Sequence, residues 1–362
     1  MRNTTKFGSF DTIGLDVSDR RTHFCEVRRG VVVAEGDFPT TPKGLSEFLA
    51  SRVPCRIVTE VGTHSPWMSE ILRGTTYEAF FVNPALMMTV NELKRKTDKL
   101  DARFLASRGS LSDVNLFESH VVHREREHRA ALTTLRAREH LVSARTRAIN
   151  ALRGLVKPFG VRLPTGSAST LLKPETTEQI PREIYWAVEP MLALIRELNE
   201  LIKRADQGVT KIENEYPRCQ VLQQIQGVGP ITSTSFLLTL GDPNRFKTGR
   251  QVASYLGLTP GIRQSGESRQ PLGITKQGDA MVRRNLLQAA HYILGQGKED
   301  SDLQRFGRKL ASADPDRKRG IKRAAVAVAR KLAVLLFRLL KTGEVYDPLR
   351  NAKLLENSRI AQ

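Results

Sequence analysis

The chain has little that would staple it together or carry it into a lipid. Its 362 residues include three cysteines, Cys25, Cys55 and Cys219, too far apart to form a metal-ligand spacing. A disulfide framework is excluded, and so sparse a cysteine usage fits a reducing compartment. No apolar run is long enough to span a bilayer. The first, around residues 13–17, is short and carries Asp16, and the most apolar late stretch, residues 324–340, is interrupted by Arg330, Lys331 and Arg338. No short-period repeat and no low-complexity tract occurs. These absences predict a soluble cytoplasmic protein without a membrane partner.

What the chain does have is positive charge. Lys and Arg number 57 against 38 Asp and Glu, a net of +19 and a pI near 10.2. Hydrophobic residues at 40% and charged residues at 26% are ordinary for a folded protein, which argues against wholesale disorder. The excess charge therefore predicts a polyanionic partner, nucleic acid before membrane. It is unevenly placed. Residues 1–120 hold 16 basic and 15 acidic residues, 121–160 hold 9 and 3, 161–215 hold 7 and 9, and 216–362 hold 25 and 11. The surplus lies in one helix-like segment and in the last part of the chain.

The first 120 residues read as α/β. Three short β-rich runs (13–17, 23–28, 31–37) precede a helix opened by Thr41-Pro42, a strand at 56–60, a helix at 66–72, a strand at 77–82 and a helix over 85–105. Three meandering strands followed by strand–helix alternation is the element order of the ribonuclease-H-like fold. Residues 123–157 lack proline and carry Leu132, Leu135, Val142, Ile149, Leu152 and Val156 at roughly seven-residue recurrence. After a loop rich in Pro, Gly and Ser, a second, acidic helix spans about 184–215. The two form a helical hairpin or an intermolecular coiled coil, the second helix reading as a spacer. From Tyr216 onward the pattern is mostly helical, with a polar loop over 259–278. The expected organisation is a mixed-sheet domain (1–120), a coiled-coil hairpin (121–215), a mostly helical domain (216–345) and a tail (346–362).

The acids of the near-neutral first domain sit at telling places. Asp16 ends the first strand in TIGLDVSDRR and Glu60 ends the fourth in RIVTEVGTHS. Asp98 and Asp101, spaced i, i+3 in KTDKLDARFLA, share a helix face. Acids at strand ends are often turn formers, and an acid pair amid lysines is often a solvated face. Together, however, the four can converge at one sheet edge, where they would repel unless cations neutralised them. An all-oxygen ligand set favours Mg²⁺, with Mn²⁺ as an alternative, over zinc. Two such ions suit phosphoryl transfer.

In the last part, LQQIQGVGPITSTSFLLTLG has a helix, a turn holding Gly227 and Gly229, and another helix. This is the helix-hairpin-helix pattern, in which glycines let backbone N–H groups approach a phosphate, or else a plain packing turn. Further on, the Gly-, Ser- and Arg-rich run around GIRQSGESRQPLGITKQGDAMVRRN feeds a basic helix and has the composition of a phosphate-binding loop. Arg263, Arg269, Lys276, Arg283 and Arg284 would neutralise phosphates there. Ser265 precedes Gly266, as a nucleophile or as an ordinary turn residue. No histidine–acid pair lies nearby in sequence to deprotonate it.

These motifs resemble a known family: insertion-sequence transposases with a RuvC-like DEDD domain and a catalytic serine, which includes the Piv invertase and bridge-RNA-guided recombinases. The resemblance spans nearly the whole chain. It rests on GLDVSDRRTHFCEV, TEVGTHS, VNPALMMTV and KTDKLDARFLA at the front. At the back it rests on IQGVGPITS, DPNRFKTGRQVASYLGLTPGIRQSG and GITKQGDAMVRRNLLQAA. Gln264 stands where a second serine or similar small residue is common, which leaves Ser265 the sole candidate.

The resemblance implies that Asp16, Glu60, Asp98 and Asp101 bind catalytic Mg²⁺ and that Ser265 attacks DNA and is joined to it covalently. It also implies a structured guide (bridge) RNA and dimers or tetramers in which the metal domain of one subunit meets the serine domain of another. On this basis the expected function is a nucleoid-associated DNA recombinase. The basic helix, through Arg124, Arg126, Arg129, Arg136, Arg138, Arg145 and Arg147, is the expected RNA contact; a solvated helix face is the plainer account of the same charges. Two rivals are a metal-only endonuclease of the Holliday-junction resolvase type, with Ser265 structural, and a catalytically inactive nucleic-acid-binding protein.

Overall fold

A computed structural model describes residues 10–83, 98–111, 120–265, 268–296 and 298–352, with backbone alone at positions 98, 99, 265, 269 and 271. Most of the helix expected over 85–105, and the motif VNPALMMTV beyond its first two residues, lie outside them. The chain forms two compact units, residues 1–125 and 126–362.

The first unit is a five-stranded sheet between two helical layers. Its strands are β1 (Thr12–Val17), β2 (Arg21–Arg28), β3 (Val31–Pro39), β4 (Arg56–Glu60) and β5 (Glu78–Val82), in the order β3-β2-β1-β4-β5. β1 to β3 form an antiparallel meander, while β4 lies parallel to β1 and β5 parallel to β4. Helices α1 (Pro42–Ala50) and α2 (Ser65–Arg73) connect the later strands, and α3 (Asp98–Ser110) follows. Thr41 caps α1 by accepting from the Gly44 amide at 3.0 Å, and Pro42 supplies the fixed φ of a first helical turn.

Side-chain alternation divides the core. Ile13 and Leu15, both fully buried, face one side with Phe48 and Leu49 of α1 and Met68 and Leu72 of α2. On the other side, Cys25 and Val27 meet Ala102 and Ala106 of α3, and Val58 and Val82 meet Leu105. Contact with α3 is closest at Gly14: a Cβ there would stand 2.1 Å from the Ala102 carbonyl oxygen and 2.4 Å from the Ala106 nitrogen. Gly109, on α3 itself, sits equally close to the sheet: a Cβ there would stand 2.5 Å from Val58 Cγ2 and 2.6 Å from Thr12 Cγ2.

The second unit opens with the helical hairpin. Helices α4 (Arg126–Val156) and α5 (Arg182–Glu215) pack on each other within one chain. The five leucines, isoleucines and valines of the expected α4 seam other than Val142 are buried, as are Leu192, Ile195, Leu198, Ile202 and Ile212 of α5. At one end, Ile149, Leu152 and Val156 close over Leu163, Leu171 and Ile180 of the connecting turns. At the other, Leu132, Leu135, Val209 and Ile212 share a core with the C-terminal helices.

Those helices are α6 (Pro230–Leu240), α7 (Gly249–Tyr255), α8 (Ala280–Leu294), α9 (Asp302–Ser312) and α10 (Arg317–Thr342). Asp279, Ser301 and Asp316 cap the last three through side-chain oxygens. Among the described residues, no helix is long and apolar enough to cross a membrane.

One element differs from expectation. The polar loop of residues 259–278 is an antiparallel hairpin of β6 (Pro260–Ser265) and β7 (Ser268–Ile274). Its residues Ile262 (52% exposed) and Leu272 (49% exposed) bury little, so the run lacks the apolar alternation by which strands are recognised. Ladder hydrogen bonds, not a buried face, make it a sheet.

Candidate functional site

Strand register and helix direction together place the carboxylates. Leu15 pairs with Thr59, so Asp16 and Glu60 follow one residue later at the ends of adjacent parallel strands. Alternation from Leu15 and Ile57 turns both toward the α3 face. Along β1 the contacts of α3 run from Gly109 near Thr12 to Ala102 near Gly14. The helix is therefore antiparallel to β1, and its first turn leads toward Asp16 and Glu60. Asp101 lies one turn from Leu105, on the stripe that packs on β4, and Asp98 opens the helix one turn earlier.

The donor chemistry is all oxygen, as a hard divalent cation requires. Among the described residues, however, no three or more His, Cys, Asp or Glu side chains stand close enough together to hold a metal ion. The topology gathers the strand ends and the helix start on one side of the sheet.

A bridge beside this sheet end was not legible in the sequence. His64 Nε2 lies 3.1 Å from Asp19 Oδ1, and Trp67 Nε1 donates to His64 Nδ1 at 3.2 Å. The contact ties the turn after Asp16 to the loop after Glu60. Its residues stand in the DVSDRR and TEVGTHS motifs, but only the fold reveals that they pair. Behind β5, burial lowers the pKa of His120 and pushes His123 down to about 4, with His123 edge-on to Phe81.

Several arginines expected to contact nucleic acid have partners within the chain. Arg138 is paired with Asp206 of α5, and Arg145 donates to Asn199 Oδ1 at 2.8 Å. Arg136 reaches Asp279 at 3.1 Å, Arg284 pairs with Glu139, and Arg283 donates to the Leu256 carbonyl at 3.1 Å. All but the last of these contacts hold α4 against α5 and the start of α8, so the basic run of α4 is in part internal structure. Arg126 and Arg147 are exposed on α4, Arg124 precedes it and is half-buried, and Arg129 is half-buried within it.

Gly227 has φ +94°, and a Cβ there would meet the Tyr292 ring at 2.9 Å; Val228 behind it is buried. Gly229 precedes Pro230 at the start of α6 with open space around it. The first helix of this pattern is a single short turn, Arg218–Leu222.

Ser265 is the last residue of β6 and pairs with Ser268 across the hairpin. The root of the hairpin is fixed where Gly257 (φ +68°) and Gly278 (φ +100°) pass close to the backbone of Gln277 and Tyr255. Lys276 N donates to the Gly257 carbonyl at 3.1 Å. Lys276 and Arg263 are exposed. Only the backbone of Arg269 is described, in β7 opposite Gln264.

Two family models match separate parts of the chain. Residues 13–159 match that of the DEDD transposase of the IS110 type, and residues 219–302 match that of the transposase IS116/IS110/IS902 family. The transposase for insertion sequence element IS1111A of Coxiella burnetii is 28% identical over 257 residues, 69% of this chain and 68% of the relative. A probable family 20 transposase of Pseudomonas aeruginosa is 27% identical over 83% of this chain and 88% of its own length. The pilin gene-inverting protein of Moraxella bovis is 24% identical over 80% and 81%, respectively. With one match over the acid-bearing sheet and the other over the serine hairpin, the chain belongs to the IS110/IS116 family of insertion-sequence transposases.

Proposed function

We propose that this transposase is a DNA recombinase that cleaves and rejoins strands through a serine–DNA linkage, with a ribonuclease-H/RuvC-like first domain. The observation that carries the reading is the placement of Asp16 and Glu60 at adjacent parallel strand ends, on the side where α3 begins with Asp98 and Asp101. Those four carboxylates would hold Mg²⁺ or Mn²⁺, which when bound supplies Lewis-acid polarisation of a phosphodiester and lowers the pKa of an attacking hydroxyl. Ser265 is the nucleophile: its Oγ loses a proton and forms a bond to phosphorus while the P–O bond to one DNA strand end breaks. The released DNA hydroxyl takes up a proton, and the ester keeps the bond free energy for resealing. Rejoining is the reverse displacement, with a new strand's hydroxyl attacking the phosphoserine.

Arg263, Arg269 and Lys276 neutralise DNA phosphates around the hairpin, Arg283 and Arg284 add positive charge beside it while tied to Leu256 and Glu139, and Gly227 and Gly229 offer backbone approach. Exposed Arg126 and Arg147, with Arg124, Arg129 and Arg136 near them, serve a structured guide RNA. Arg138 and Arg145 act there mainly by holding the helix pair together. Dimers or tetramers are the working form.

The test is to trap and map a covalent adduct on labelled substrate DNA in the presence of Mg²⁺. Ser265→Ala and Asp16→Ala are each expected to remove the adduct. Nicking that persists in Ser265→Ala would identify a metal-only nuclease. DNA binding without Mg²⁺ and without any cleavage would identify an inactive binding protein. An adduct on another residue overturns the serine assignment.

A further inference from the structure

The second unit contains a groove that the chemistry above, Lys276 apart, does not use. It encloses about 1020 Å³ between the outer side of α10, helix α9, the β6–β7 hairpin and the segment around Tyr346–Asn351. Its floor is aliphatic, with Leu258, Leu272, Leu310, Val326, Val334 and Leu335. Its lining includes eight Lys and Arg residues against two Asp; Arg323 is paired with Asp314, and Arg338 and Arg350 with Glu344, while Lys322 and Arg330 lie along its rim. Helix α10 is thus apolar on two sides: Val328, Ala329, Leu332 and Leu336 face the core, while Val326 and Val334 face the groove in a row with Lys322, Arg330 and Arg338. This second side accounts for an apolar content along residues 324–340 beyond what one buried face requires.

An aliphatic floor suits a protein side chain better than a nucleic-acid base, which stacks on aromatic rings. Of the two aromatic rings in the lining, Phe306 already carries the Lys331 ammonium at 3.8 Å and Tyr346 packs on the C-terminal core. The fitting occupant is an amphipathic segment with acidic flanks, and α5 presents one. Near its start, Trp186 is 77% exposed, and Pro190, Ala193 and Leu194 continue an exposed apolar strip at helical spacing. Glu183 and Glu189 border it, and residues 183–200 hold four Glu and one Arg. Tryptophan exposed to this degree in an apolar strip marks a contact surface.

The strip cannot fill its own groove. Val209, in the same continuous helix, belongs to the C-terminal core, and at 1.5 Å per residue Trp186 lies about 35 Å up the helix from it. We propose that the Trp186 strip of one copy docks in the groove of a second copy, with Glu183 and Glu189 meeting the basic rim. Because every copy carries both surfaces, two copies can exchange them symmetrically. Leu272 lines the groove and belongs to β7, so docking also buries an exposed side of the hairpin that carries Ser265. A two-stranded hairpin gains order from such cover. The docking stands independently of the catalytic reading; its consequence for Ser265 rests on that reading.

The experiment uses two differently tagged full-length copies, one Trp186→Cys and the other Val326→Cys, treated with a short bis-maleimide. Single-cysteine-variant mixtures correct for the native thiols. A covalent heterodimer bridged between positions 186 and 326 is expected. Lys322→Glu with Arg330→Glu on the groove copy should lower its yield about tenfold, and Glu183→Lys with Glu189→Lys on the other should restore it. A chain that self-associates without forming this bridge, a monomeric chain, or a bridge indifferent to charge reversal each overturns the docking. A bridge that behaves as expected while Ser265→Ala still forms the DNA adduct leaves the docking intact and overturns the serine assignment alone.

Discussion

The two sets of residues assigned to chemistry rest on contrasting foundations. Asp16 and Glu60 end strands of a five-stranded sheet whose residues Ile13, Leu15 and Ile57 are fully buried, with α3 pressed backbone to backbone against Gly14. Ser265 ends a strand of a two-stranded hairpin that is fixed at its glycine root and holds Ile262 and Leu272 half in water. On the proposed chemistry the contrast is a division of labour: carboxylates that share a cation are built on a packed sheet, and a nucleophile joined to its substrate is built on an element with few contacts to lose.

The largest expected break of that contrast is Gly14→Val. The new Cβ would meet backbone atoms of α3 that cannot turn aside, so a loss of about 3 kcal/mol or more in denaturant unfolding is expected. Gly273→Val in the hairpin, with nothing within 4 Å of a Cβ, should stay within about 0.5 kcal/mol of the parent. Equal costs at the two positions would erase the difference between the foundations.

Acid should separate the two units next. His123 of the first unit is held below its ordinary value of 6.5, at about 4, because burial disfavours its charged form. The unfolded chain therefore takes up a proton that the folded chain refuses, and first-unit stability is lost as pH falls from 6.5 toward 4. In the second unit, Arg319 and Arg323 hold the Asp314 carboxyl well below the usual carboxylate range. Its contribution is full above about pH 4 and is lost only on further acidification. The chain has two tryptophans, Trp67 in the first unit and Trp186 in the second, so Trp67→Phe and Trp186→Phe variants report each unit's thermal unfolding separately. Between pH 6.5 and 4 the Trp67 transition should fall further than the Trp186 transition, and His123→Phe should flatten it. The smallest effect is Leu272→Ser, which should cost the isolated subunit under about 0.5 kcal/mol because the side chain is already half in water.

How far the sequence anticipated this structure follows from what each pattern depends on. The five strands and α1, α2, α4 and α5 were legible because their periodicity records burial, and the strand positions of Asp16 and Glu60 were legible with them. The β6–β7 hairpin was not, since Gly, Ser and Arg alternate there with too few apolar residues to mark a face. Nor did charge counting show that Arg138 belongs to Asp206 or Arg284 to Glu139, partners distant in sequence that only folding brings together. The His64–Asp19 bridge was hidden for the same reason.

Helix α5, unbroken over 34 residues, also acts as a phase counter. Each residue added to it turns everything beyond by about 100° and advances it about 1.5 Å. One extra residue in α4 and α5 would aim Trp186 sideways, whereas seven would restore its bearing to within about 20° and shift it outward by about 10 Å. Length changes in this hairpin are thus read in whole heptads, and frames between them point the strip away from any fixed receiver.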